Sequence, residues 1–108
     1  MAWIYLVAAG VLEIGWPVGL KMGWTDTGAK PAWLGLSLFC IVASGALLLW
    51  AQRSIPMGTA YAVWTGIGAA GSIIVGMLMF SEPADPVRIL CLALIVAGMV
   101  GLKLNSPA

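Results

Sequence analysis

A single carboxylate in the middle of an otherwise uncharged apolar run constrains this chain more than any other feature. From Ala2 to Leu20 the only charged side chain is Glu13. The run is long enough to cross a bilayer, because a helix rises about 1.5 Å per residue and the hydrocarbon layer is about 30 Å thick. An acid at that depth costs about 3 kcal/mol on insertion scales, a cost that any apolar residue would avoid. Glu13 is therefore a functional residue by default. The plain alternative, a structural ion pair inside the bundle, lacks a partner: no other apolar run carries Lys or Arg near its middle.

Three further apolar runs follow, and the spacing predicts transmembrane helices over residues 2–21, 32–52, 57–80 and 86–104, as one four-helix domain over 1–108. Pro31 suits the start of the second helix. Gln52, Arg53, Ser54 and Pro56 form the second turn; Glu82, Pro83, Asp85, Pro86 and Arg88 punctuate the third. With 62% hydrophobic residues, 8% charged residues and a mean hydropathy of +1.05, the chain reads as an all-α membrane protein, not a soluble domain. A net charge of +1 provides no electrostatic footprint for nucleic acid. There is no His and no cluster of Cys or carboxylates, so neither a metal nor another cofactor is expected, and no enzymatic constellation is present. Cys40 and Cys91 both lie in apolar runs and read as free, buried thiols. No basic region precedes the first run, which is expected to stay as a span and not to be removed as a signal peptide.

An even number of spans puts both termini on one side. Arg53 and Lys103 then lie on that side, and Lys21, Lys30 and Arg88 on the other. This bias is too small to fix orientation by the positive-inside rule, and it allows the chain to insert both ways. Trp3, Trp24, Trp33 and Trp50 mark span ends, whereas Trp16 and Trp64 lie deeper and need an acceptor for their indole N–H. Glu13 is the obvious one.

Helical spacing places Ala9, Gly10, Glu13, Trp16, Pro17 and Leu20 on one face of the first helix. Pro17 cannot donate to the Glu13 carbonyl, which favours a kink beside the charge. Ser37, Cys40 and Ser44 share a stripe of the second helix. Ser44 reads either as bonded to its own helix backbone or to the carboxylate. In the third helix Tyr61, Trp64, Thr65 and Gly68 align, Gly66 and Gly68 read as a hinge, and Gly68, Ser72 and Gly76 form a row of small residues. Ala93, Ala97 and Gly101 form another in the fourth helix. Such rows mark close helix packing or oligomer contacts.

Four helices hardly enclose a solute and also present it to each side in turn. Transporters often solve this with two inverted repeats about a midplane site. No internal repeat is visible here, but a second copy inserted upside down would supply one, with two Glu13 side chains facing each other. Protons and a cation would compete for that carboxylate pair, which is the logic of an antiporter. Guanidinium suits the chemistry: its planar N–H fork matches a carboxylate, and Trp and Tyr faces add cation–π attraction.

These residues resemble the small multidrug resistance family, and within it the guanidinium exporter subtype. The resemblance spans the whole chain. It is carried by Leu12-Glu13, Trp16 and Gly19-Leu20-Lys21, by the run from Pro56 through Trp64-Thr65-Gly66-Ile67-Gly68 to Ala69, and by Gly101-Leu102-Lys103. It implies an antiparallel, dual-topology homodimer in the bacterial inner membrane that exchanges protons for guanidinyl cations by alternating access. Glu13 would bind proton and substrate in turn, Ser44 and Trp64 would orient it, Gly10 and Trp16 would line the site, and Tyr61 would gate between subunits. The sequence departs from the family at Pro17, where a small non-proline residue is usual, and in a slightly longer first loop. Besides a cation channel, disfavoured because two carboxylates alone make no continuous polar lining, two alternatives stand beside this reading. One is a quaternary-ammonium or multidrug exporter of the same family; the other is a non-transporting accessory or structural membrane protein.

Overall fold

A computed structural model describes residues 2–105. In it the four apolar runs form α1 (Ala2–Gly23), α2 (Pro31–Ala51), α3 (Met57–Met79) and α4 (Pro86–Leu104). Each is long and apolar enough to cross a membrane. Helices are the expected solution, because a spanning segment must satisfy its backbone N–H and C=O groups internally. α1 continues past the expected end at residue 21 to Gly23, and it runs through Pro17 without interruption.

α1 lies between α2 and α3, and glycines set both seams. A Cβ on Gly15 would lie 2.6 Å from Cys40 Sγ, and one on Gly19 would lie 2.9 Å from both Ser37 Cβ and the Trp33 carbonyl oxygen. On the other side Gly10 meets Ile67, with only 2.7 Å available for a Cβ, and Gly71 of α3 closes on Ile14. Lipid offers little hydrophobic drive for helix association, so contact of this closeness is the main attractive term. Leu6, Ala51, Ile55, Ala60 and Val63 form a fully packed cluster where the second turn meets α1.

Two serines of α2 fasten this seam. Ser37 donates to the Trp16 carbonyl at 2.7 Å, and Ser44 donates to the Ala9 carbonyl at 2.6 Å. The pairs run in opposite order along the two helices, as an antiparallel pair requires. Neither hydroxyl returns to its own helix and neither reaches Glu13, so both expectations for Ser44 are corrected.

α4 is held differently. It touches α3, where a Cβ on Gly66 would lie 2.5 Å from Met99 Sδ, and it has no buried residue. Cys91 is exposed in consequence, which corrects the expectation of two buried thiols; Cys40 is buried. Pro86 opens α4, with Asp85 accepting from the Arg88 N–H at 2.9 Å as an N-cap.

The first connection contains a feature the sequence reading missed. Trp24–Thr25 (β1) and Gly28–Ala29 (β2) pair antiparallel, with Gly28 at φ 126°. That backbone conformation is open to glycine and disfavoured for other residues. The third connection begins at Ser81, with φ 55°, where the N–H groups of Phe80 and Glu82 both donate to the Gly76 carbonyl. Ser81 thus ends α3 in the left-handed conformation common just past helix C-termini.

Candidate functional site

Glu13 projects from the middle of α1 against α3. Gly68 lies opposite: a Cβ there would come within 2.5 Å of Glu13 Cγ. The absence of a side chain at 68 therefore makes the space that the carboxylate's stem occupies. Beside it is a recess of about 300 Å³ lined by Glu13, Trp16, Pro17, Thr65, Gly68, Ala69 and Ser72. Glu13 is half-buried and makes no hydrogen bond or ion pair among the described residues. The basic side chains nearest in kind are engaged elsewhere, Lys21 and Arg88 on Glu82 and Lys103 over the Trp3 ring. Among the described residues no cation is paired with the Glu13 carboxylate.

The recess has hydroxyls as well as an aromatic wall. Thr65 donates its proton to the Tyr61 carbonyl at 2.5 Å, which leaves its oxygen lone pairs to accept from a guest. Ser72 also lines the recess, four residues beyond Gly68 on the same face. A flat cation with N–H groups around its rim therefore meets a carboxylate, two hydroxyl oxygens and the Trp16 indole.

Behind this recess the deep tryptophan of α3 is tied up. Trp64 Nε1–H donates to Ser44 Oγ at 2.8 Å, and the Ser44 hydroxyl in turn donates to the Ala9 carbonyl oxygen. The acceptor for Trp64 is therefore Ser44 and not Glu13, as the sequence had suggested. The chain Trp64–Ser44–Ala9 links α3, α2 and α1 one turn from the carboxylate and fixes the indole. The Tyr61 ring packs on Trp64 with centroids 5.4 Å apart, and it is 55% exposed.

Of the residues singled out in the sequence, the fold brings Glu13, Trp16 and Gly68 together on the recess. Gly10 lies in the α1–α3 seam under Ile67, and Ser44, Tyr61 and Trp64 form the adjoining network. Gly66 faces Met99 within an unbroken helix. The sequence reading had not assigned Pro17, Thr65, Ala69 or Ser72 to the lining. Helical periodicity from Gly68 reaches Thr65 and Ser72, so part of that signal was present.

The fold and site define a four-span membrane protein built around one intramembrane acid. Residues 1–95 match the Small Multidrug Resistance protein family, and the chain belongs to it. Among its relatives are proteins named guanidinium exporter from Citrobacter freundii, Salmonella typhimurium and Escherichia coli (strain K12). Each is 49% identical over 106 residues, covering 98% of this chain and 99% of the relative.

Proposed function

We propose that this chain is a proton-coupled antiporter that exports guanidinium and small substituted guanidinyl cations, working as an inverted homodimer by alternating access in the bacterial inner membrane. The observation that carries the reading is Glu13, which faces a recess with no counter-ion among the described residues. The 49% identity to proteins named guanidinium exporter supports the substrate class.

The chemistry follows from neutralising buried charge. Two Glu13 carboxylates brought together at the midplane are tolerable only when they hold protons or a cation, and one displaces the other. A guanidinium edge donates two parallel N–H bonds to a carboxylate. Its remaining donors need acceptors, which the Thr65 and Ser72 oxygens supply; a quaternary ammonium has no N–H to offer them. A site with polar groups placed for N–H donors discriminates against a cation that lacks them. Trp16 contributes its π face.

One copy is insufficient. Tyr61, beside the site, is exposed, and a Cβ on Gly98 or Gly101 of α4 meets nothing within 4 Å among the described residues. A second copy in the opposite orientation closes the site and creates the inverted repeat that alternating access uses. The near-balanced loop charges permit both orientations.

Purified protein in liposomes tests this directly. Guanidinium is expected to evoke proton counterflow, and tetramethylammonium at the same concentration much less. Equal responses would assign the broader quaternary-ammonium class, and no response to either would favour a non-transporting role.

A further inference from the structure

The small-residue row of α3 serves two carboxylates, not one. Gly68 lies under Glu13, and a Cβ on Gly76 would run into the carboxylate of Glu82. Eight residues of helix separate these glycines, about 12 Å along the axis. Ser72 stands midway. It lines the recess of Glu13 and also a second recess of about 230 Å³, which reaches Lys21, Phe80 and Glu82; Pro17 of α1 is the other wall common to both. The two recesses thus adjoin on the α1–α3 surface across Pro17 and Ser72, with Glu13 lining the inner one and Glu82 the outer one.

The outer acid already holds a cation. Lys21 Nζ lies 3.2 Å from Glu82 Oε2 and 4.9 Å from the centre of the Phe80 ring, while Arg88 approaches Oε1 at 3.9 Å. A carboxylate with an aromatic face beside it is the same pairing that Glu13 and Trp16 present within the membrane. Glu82 is fixed in place by its backbone N–H on the Gly76 carbonyl at 3.1 Å. The Lys21 and Glu82 side chains are 53% and 35% exposed, and solvent screens an ion pair this open so that it contributes little. An arriving cation therefore exchanges with Lys21 at little cost.

We infer that Glu82 is an outer landing carboxylate for the guanidinium-type cation: the cation displaces the Lys21 ammonium beside Phe80, then passes Ser72 to reach Glu13. This inference rests on the guanidinium-export reading and extends it to the path the substrate takes. In an inverted dimer the two copies place this edge at opposite faces of the membrane, so each face has its own landing acid.

The test is the KM for guanidinium, measured with the full-length protein in liposomes at low and high ionic strength. Glu82→Gln is expected to raise KM by about threefold to tenfold at low salt, with the maximal rate retained, and salt shrinks the effect. Lys21→Gln removes the competing ammonium and is expected to lower KM. In the double variant the Lys21→Gln gain disappears, because the carboxylate it uncovered is gone, while Glu82→Asp, which keeps the charge, stays near wild type. Two outcomes overturn the inference. If Glu82→Gln and Lys21→Gln shift KM in the same direction, the pair is only a structural tie. If the Lys21→Gln gain survives in the double variant, Lys21 acts through its field alone. Should Glu82→Gln fail to fold, Lys21→Gln decides by itself, since an unchanged or raised KM contradicts a landing site. Wild-type protein that moves no guanidinium would overturn the export reading and the landing site together; the variant patterns overturn the landing site alone.

Discussion

At Glu13 the local chemistry is set by what is missing around it. Gly68 gives the side chain room, and no Lys or Arg of the chain is paired with it. Gly68→Ala adds one methyl group and no charge, yet places a carbon 2.5 Å from Glu13 Cγ. Overpacking of this kind costs about 1–3 kcal/mol. The expected result is a severe loss of guanidinium transport with a moderately lowered melting temperature in detergent, both readable on purified protein. Glu13 itself was legible in the sequence because one charge in an apolar run is conspicuous and expensive. The partner of Ser44 was not legible. The sequence offered its hydroxyl two acceptors, its own helix backbone and the carboxylate, and it bonds neither. Only the packed register of α1 on α2 selects the Ala9 carbonyl.

Among the elements, the seam between α1 and α2 carries the clearest contrast. Gly19 faces the Trp33 carbonyl, a backbone atom that cannot step aside, whereas a Cβ on Gly35 in α2 meets nothing within 4 Å. Gly19→Ala is expected to destabilise the protein by about 1–3 kcal/mol. Gly35→Ala is expected to be neutral or to gain up to about 1 kcal/mol from helix propensity. Thermal unfolding in detergent separates them, and equal effects would contradict the seam. The four helices were readable from run length, since nothing else crosses a bilayer in about 20 residues. The β1–β2 pair was not, because two-residue strands are too short to show alternation. The light packing of α4 was equally hidden: a helix apolar on every side does not reveal which side meets protein and which meets lipid.

At the scale of the whole molecule, the proposed inverted dimer needs a face of each chain free to meet the other. α4 has no buried residue, and a Cβ on Gly98 or Gly101 meets nothing within 4 Å, although the row Ala93, Ala97 and Gly101 is of the small-residue kind that brings helices together. Gly101→Leu is expected to leave the fold of one chain intact and to shift the protein from dimer to monomer in detergent, read by its mass in solution. A dimer as stable as wild type would place the interface elsewhere. The same scale holds the central claim, that one acid per chain is shared in turn by protons and a guanidinyl cation. The most direct measurement is guanidinium-evoked proton flux across liposomes containing wild type or Glu13→Gln, reconstituted to the same density. The account predicts opposed fluxes of guanidinium and protons in wild type and neither in the variant. Coupled flux surviving in Glu13→Gln, or guanidinium crossing wild type without proton counterflow, would contradict it.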